Sequence, residues 1–280
     1  MSQPPNAQQA AYWNEQAGPT WVDMVDPLDR QLAPLGRAAM RALALRPSEA
    51  VLDVGCGAGA TTLELAQQVG AAGRATGVDI SRPLLETARR RAERLANVEF
   101  LEADGQSHPF PPASYDALFS RFGVMFFAEP TVAFANLRRA LKAGGRMAFV
   151  CWQASSANPI MTLPMQAALA HVPAPPPPAD PTAPGPFAFA DADRLRGILD
   201  AAGFRDVVIT PHLEKIGSGD LETALAVSLK VGPLGALLRE NPDQRDAVIA
   251  AVRAALSAHD GPDGVRLDSA TWIVTANNPG

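Results

Sequence analysis

The sequence predicts an α/β fold: a doubly wound, mainly parallel seven-stranded sheet with an antiparallel last strand and helical lid insertions. Three observations carry this expectation. Short apolar runs alternate with amphipathic helical stretches from residue 47 to 152. A glycine-rich turn joins the first apolar run to the helix behind it. Two late strands bracket a helical insert of about fifty residues, which suits an antiparallel pair closing a parallel sheet.

The elements follow in order. Residues 1–20 are polar and Gln-rich, and read as irregular at the very end. A helical pattern runs roughly from Asp29 to Leu45 and stops before Pro47. Ala50-Val51-Leu52-Asp53-Val54 is the clearest strand, an apolar run closed by glycines. Thr61 to Val69 reads as a helix with Leu63, Leu65, Ala66 and Val69 on its buried side. Arg74 to Ile80 is the second strand. Ser81 suits the N-cap of a helix over Arg82 to Leu95, whose Leu84, Leu85, Ala88, Ala92 and Leu95 fall at helical spacing. Val98 to Leu101 and Tyr115 to Ser120 are strands. Thr131 to Lys142 is a helix closed by Gly144-Gly145 as C-cap, and Arg146 to Trp152 is a strand. Such alternation implies right-handed βαβ units.

Beyond this core, residues 173–186 form a proline-rich connector, stiff and partly extended. Asp191 to Ala202 is a helix stopped by Gly203. Asp206 to Leu213 is a strand, Leu221 to Leu229 and Asp243 to Ala258 are helical, and Val265 to Thr275 is the last strand.

Composition narrows the class. The 280 residues are 47% hydrophobic and 19% charged, enough to bury a sizeable core, which rules out global disorder. The net charge of −5 counts against a general nucleic-acid binder. The two cysteines, Cys56 and Cys151, cannot make a disulfide scaffold and suit a reducing cytosol. The start, MSQPPNAQQA, shows no basic and apolar leader, so a cytoplasmic location is expected. Met147 to Ala179 holds no Asp, Glu, Lys or Arg, but its polar residues and prolines do not suit a spanning helix. That stretch reads as the wall of an apolar pocket.

The chemistry concentrates at Asp53-Val54-Gly55-Cys56-Gly57-Ala58-Gly59, between a strand and a helix. Glycines there allow a tight turn and close approach to a ligand, and the helix behind presents free N–H groups. Asp79 ends the second strand twenty residues after Gly59, where a carboxylate can accept from both ribose hydroxyls. Loop, helix and acid together describe a nucleoside-containing cofactor. Gly55-x-Gly57-x-x-Ala60 also matches the loose dinucleotide fingerprint. Three features point elsewhere. Asp53 lies inside the motif, where a carboxylate suits an ammonium and would repel a pyrophosphate. The third glycine comes early. A further acid, Asp104, follows the third strand.

LDVGCGAGATT (52–62), GVDIS (77–81), EADGQSHPFPPASYDALFSRFGVMFF (102–127) and RRALKAGGRMAFVCW (138–152) resemble the class I S-adenosylmethionine (SAM)-dependent methyltransferases. The resemblance is closest to the small-molecule branch with the ubiquinone/menaquinone-type C-methyltransferases, and is strong over about residues 47–152. It implies a Rossmann-like core at 47–152, an N-terminal helical lid at 1–46, and residues 153–280 as the rest of the same domain. Acceptor-pocket insertions are expected at about 153–190 and 214–264.

Site roles follow from the resemblance, position by position. Gly55, Gly57 and Gly59, with Cys56 between them, line the methionine part of SAM, and Asp53 orients its ammonium. Asp79 holds the ribose hydroxyls and Ile80 packs on the adenine. Asp104, with Gly105 beside it, accepts from the adenine amino group. Ser120 and Arg121 border the methyl group. Tyr12, Trp13 and Trp21 are lid candidates.

Each residue also has a plainer role. Cys56 suits a small buried thiol better than a nucleophile. His108 suits a packed or capping histidine. Arg121 holds an acceptor anion or pairs with a nearby acid. Phe122, Met125, Phe126 and Phe127 line an acceptor pocket or pack the core. The Arg89-Arg90-Arg91 and Arg94 run reads as a solvated helix face. Arg121, His171 and His212 are the weak candidates for a catalytic residue, and His259 is isolated in sequence. No metal-ligand spacing is present.

The expected activity is metal-free transfer of a methyl group from SAM, leaving S-adenosylhomocysteine, to a small, fairly apolar acceptor, with O- or C-methylation favoured. The alternatives are a SAM-binding protein without that activity, or an NAD(P)-dependent oxidoreductase. No nucleic acid or membrane partner is expected, and the chain is read as a monomer or homodimer.

Overall fold

The computed structural model describes residues 6–174 and 180–280, so the middle of the proline-rich connector lies outside the described residues. In chain order the elements are α1 (Ala7–Ala11), a π-helical turn (Tyr12–Gln16), α2 (Ala17–Asp23), α3 (Val25–Leu43), β1 (Ala50–Val54), α4 (Ala60–Val69), β2 (Arg74–Asp79) and α5 (Arg82–Ala92). Then come β3 (Val98–Glu102), β4 (Tyr115–Arg121), α6 (Pro130–Ala140), β5 (Leu141–Trp152), α7 (Pro159–Ala168) and α8 (Ala192–Ala201). The chain closes with β6 (Arg205–Gly219), α9 (Leu221–Lys230), α10 (Pro233–Glu240), α11 (Arg245–Ser257), β7 (Asp260–Gly261) and β8 (Gly264–Asn277).

The sheet order is β3-β2-β1-β4-β5-β8-β6. β1 to β5 run parallel, with Val51 beside both Ala75 and Ala117. β8 is inserted antiparallel between β5 and β6. The sheet has eight strands rather than seven, because the two-residue β7 forms a hairpin with β8.

The parallel strands are covered on both faces, so they read as near-continuous apolar runs; Met147 to Cys151 are all buried. Helix α3 turns Leu28, Leu32, Leu35, Ala39 and Leu43 inward at helical spacing, and packs on β4, β5, β6 and β8. Phe134, Phe149 and Phe204 fill the side where α6 meets α8, with centroids 5.7 and 6.4 Å from Phe134. A second apolar cluster joins α7, α9, α10 and α11 to the start of β8 through Ala168, Leu225, Leu237, Val252, Leu256 and Leu267.

Several sequence expectations change. The N-terminal stretch is helical from Ala7, and α3 starts four residues early, at Val25. Ser81 makes no side-chain cap to α5; its hydroxyl donates to the Trp13 carbonyl at 2.9 Å, and the helix ends at Ala92 with Leu95 exposed. Gly144-Gly145 does not cap α6. The helix stops at Ala140, and Leu141 turns extended to pair with Tyr115. The Asn278 side chain donates to the Leu141 and Lys142 carbonyls near that stop, at 3.1 and 3.0 Å. Helices α7 and α10 add to the elements read from sequence.

Candidate functional site

The carboxyl ends of β1, β2 and β4 converge where helix connections leave the sheet, the position at which α/β folds bind ligands. The loop after β1 is anchored from below. Gly55 N–H and Cys56 N–H donate to the Val78 carbonyl at 2.8 and 3.2 Å, and Gly57 N–H donates to Asp79 Oδ2 at 2.7 Å. A Cβ on Gly55 would lie 2.5 Å from Gly123 Cα, so two loops cross in backbone contact there. Ser120 secures the crossing: its hydroxyl donates to the Val54 carbonyl at 2.7 Å and accepts Gly123 N–H at 3.1 Å.

Gly57 is different. With φ at +53°, it adopts a conformation L-residues avoid, and a Cβ there would meet only Leu84 Cδ1, at 4.0 Å. Its backbone faces open space. Gly59 instead packs against Ala88 and Phe100, behind the loop.

Asp53 is fully buried under α4. Thr61 and Thr62, in the first turn of that helix, donate their hydroxyls to its Oδ2 at 2.6 and 2.7 Å. Its Oδ1 is buried without a partner among the described residues. Burial pushes its pKa up to about 6, against the two threonine bonds and the nearby Arg121 charge. Burial also raises Asp79, opposed by the Ser81 and Gly57 N–H groups. Burial pushes the Cys56 thiol up, so it stays protonated, as a small buried thiol should.

Asp104 is held by three donors: Asn6 Nδ2 at 2.8 Å, Gln106 N–H at 2.9 Å and the Ser107 hydroxyl at 3.0 Å. Asn6 also accepts Ala128 N–H at 2.9 Å. Asn14 donates to the Ile80 carbonyl and accepts Arg82 N–H, both at 2.9 Å. These two asparagines fasten the N-terminal helices over the ends of β2 and β3. The π-helical turn widens the backbone beside the site. It carries Tyr12 and Trp13, and Trp13 packs edge-to-face on Trp21 and Phe126 at 5.6 and 5.3 Å.

Arg121 resolves into an acid pair. Asp29 of α3 accepts from it at 2.9 Å and from Arg91 at 2.7 Å, while Arg91 also reaches Asp26 and the Ala58 carbonyl. Arg91 is therefore no part of a solvated face; it ties α5 to α3.

A cavity of about 980 Å³ joins these groups. Tyr12, Trp13, Trp21, Gly55, Cys56, Gly57, Asp79, Ile80, Asp104, Gly105 and Arg121 all border it, as do Phe122, Met125, Phe126 and Phe127. Asp53, Gly59 and Ser120 are not in its wall and act on the loop from behind. His171 and His212 lie outside it. His212 sits on β6, 3.9 Å from Glu214, and His108 packs edge-to-face on Phe110 at 4.7 Å. The cavity continues past Arg121 into an apolar chamber formed by α7, α9 and α10 and by Pro184 to Phe187.

Sequence reasoning missed Asn6, Asn14, Asp29 and Arg91. Their partners lie 62 to 122 residues away, and no local pattern marks them. The clustering of Tyr12, Trp13 and Trp21 was the available signal that this polar terminus folds back.

Known proteins agree with this geometry. Residues 51–145 match the model of a methyltransferase domain. The aklanonic acid methyltransferase of a Streptomyces species is 36% identical over 130 residues, 46% of this chain and 56% of that protein. The demethylmenaquinone methyltransferase of Staphylococcus aureus is 32% identical over 119 residues, 42% of this chain and 48% of that protein. The chain thus spans about half the length of these relatives. The solved structure of the YcgJ protein of Bacillus subtilis superposes with a TM-score of 0.57 at 17% identity, covering 89% of this chain and 98% of that one, a likeness of fold. Over residues 51–145, the chain is similar to the methyltransferase-domain family.

Proposed function

We propose that this protein moves a methyl group from SAM to a small, fairly apolar acceptor, at oxygen or carbon, without a metal. One observation carries the reading: a single cavity runs from the glycine loop and Asp79 into an apolar chamber large enough for a second molecule. Among the described residues no cluster of three or more His, Cys, Asp or Glu is placed to hold a metal.

The residues fit the cofactor. Gly57 leaves a backbone cradle that any Cβ would begin to fill. Each Asp79 oxygen accepts one backbone N–H and keeps a further acceptor position, suited to ribose hydroxyls. Asp104 Oδ1 already takes two donors, whereas Oδ2 takes only the Ser107 hydroxyl and keeps an acceptor position for an adenine amino group. Ile80 and Gly105 flank that site, and Trp13 and Trp21 cover it. Asp53 acts through the loop and through its charge, since it does not reach the cavity.

The chemistry SAM supplies when bound is a methyl group activated by a sulfonium. The chain's contribution is then alignment and exclusion of water. The glycine loop and Asp79 fix one partner, and the apolar chamber holds the other. Residues 6–46 serve as the lid, 47–152 as the cofactor core, and the described parts of the 153–190 and 214–264 insertions as acceptor walls. A cytoplasmic enzyme, monomeric or dimeric, fits the two buried free cysteines. Among the described residues no single helix is long and apolar enough to cross a membrane; α9 and α10 reach that length only as a pair bent by 72°.

The test is a labelled transfer. The protein is incubated with methyl-labelled SAM and a metabolite extract of its host, and new labelled species are sought by mass spectrometry. A labelled small molecule supports the reading. Failure to bind S-adenosylhomocysteine in titration calorimetry overturns it.

A further inference from the structure

Six charged side chains border the cavity: Asp29, Asp79, Asp104, Arg121, Lys230 and Arg239. The first four have partners inside the protein. Asp29 holds Arg121, Asp79 holds the Gly57 and Ser81 N–H groups, and Asp104 holds Asn6, Gln106 and Ser107. Lys230 and Arg239 differ. Among the described residues neither is paired with a carboxylate, and both are exposed where they border the cavity.

Each sits in the last turn of its helix, α9 or α10, where a cation is favoured by the helix dipole. That explains the residue type at each position. It does not explain why both face one apolar chamber. Lys230 ends α9, and Arg239 lies one helix further on, in the last turn of α10 beyond the 72° bend at Val231-Gly232; both line the same cavity. Gly232, at φ +83°, permits that bend. The lining from α7, α9, the bend and the start of α10 is mostly apolar, with Met161, Met165, Val227, Val231 and Leu234 beside the neutral polar Thr162, Gln166 and Ser228.

The cavity is therefore electrically polarised. Its carboxylates Asp79 and Asp104 gather at the glycine-loop end, and its unpartnered cations at the other. We propose that the acceptor is an amphipathic anion, whose apolar body fills the chamber and whose anionic oxygen group lies between Lys230 and Arg239. This rests on the methyl-transfer reading above and names the acceptor class for it. The two cations supply charge-assisted hydrogen bonds at the rim, where solvent reaches them, so the expected discrimination is modest, about tenfold. The apolar walls contribute equally to a charged and a neutral ligand of the same shape.

The experiment uses 2-naphthoate and the isosteric, neutral 2-naphthamide as probes. Each is titrated calorimetrically into the full chain saturated with S-adenosylhomocysteine. Naphthoate is expected to bind about tenfold more tightly than the amide, with the difference shrinking as salt is raised. In the double variant Lys230→Gln, Arg239→Gln the preference should fall to near parity, while the affinities for the amide and for S-adenosylhomocysteine stay unchanged. The unchanged amide affinity shows that the chamber is still folded. Equal affinity of the two probes for the wild-type protein, no saturable naphthoate binding, or a preference that survives the double substitution overturns the proposal. A wild-type protein that does not bind S-adenosylhomocysteine overturns the methyl-transfer reading instead, and the first titration reads that separately.

Discussion

Asp29 of α3 accepts a hydrogen bond from Arg121 of β4 at 2.9 Å, across 92 residues of sequence. The same carboxylate holds Arg91 of α5. One acid therefore ties α3 to β4 of the sheet and to α5. The side chains of Asp29 and Arg121 are only 22% and 12% exposed, so this pair is screened less than a surface pair.

Asp29→Ala should therefore leave Arg121 without its carboxylate and Arg91 with only the exposed Asp26. We expect a loss of about 1–3 kcal/mol, below the cost of breaking a fully buried pair. Arg37→Ala, which breaks the exposed Arg37–Glu64 pair, should cost under about 1 kcal/mol. Urea unfolding of both variants checks the contrast. Equal losses would mean that Asp29 is an ordinary surface acid.

Asp79→Ala should weaken S-adenosylhomocysteine binding by more than about tenfold. Two charge-assisted hydrogen bonds are removed, each on the order of 1.5–3 kcal/mol. The Gly57 N–H also loses its acceptor, so the loop itself loosens. Titration calorimetry reads the effect, and an unchanged dissociation constant would sink the ribose assignment.

The glycines should separate by function. Gly55→Ala puts a methyl group 2.5 Å from Gly123 Cα, so it should cost the fold several kcal/mol, roughly 2–4. Gly57→Ala meets no such neighbour and bears only the strain of a positive φ, about 1–2 kcal/mol. Its main effect should fall on cofactor affinity. Thermal unfolding and a calorimetric titration on both variants check this, and a Gly57 variant that binds normally would contradict the cradle.

Asp53 makes stability depend on pH. Its folded pKa, about 6, lies above the ordinary 3.8, so the folded state holds the proton more tightly than the unfolded chain. The contribution is fully present below pH 3.8 and is lost as pH rises through about 6. The loss approaches about 3 kcal/mol on the order-of-magnitude scale of 1.36 kcal/mol per unit. Asp53→Asn should flatten the difference between unfolding free energies measured at pH 4.5 and 7. A cationic ligand should pull this pKa down, so binding near pH 6 should release protons, which calorimetry in buffers of different ionisation enthalpy detects.

Much of the fold was legible because its signals are local. Apolar runs such as Met147 to Cys151 mark strands buried on both faces, and Asp53 to Gly59 followed by Asp79 marks a turn, a helix start and an acid at a strand end. Those depend on backbone preference and burial, which neighbouring residues set. The Gly144-Gly145 cap was misread for the opposite reason, and Ser81 stands at the N-cap of α5 as expected but turns its hydroxyl away from the helix. Asn278 and Trp13, both distant in sequence, take those hydrogen bonds.

By itself, then, the sequence determined the parallel core, the glycine loop and the acids at the ends of its strands. The tertiary structure alone decided which charges are partnered: Arg121 and Arg91 on Asp29, Asp104 on Asn6, and Lys230 and Arg239 on no carboxylate among the described residues. It also decided that Asp53 stands behind the loop rather than in the cavity wall. A strand or a turn is specified over a few residues, whereas an ion pair or a shared cavity depends on where separate helices meet, and that is set by packing across the whole chain.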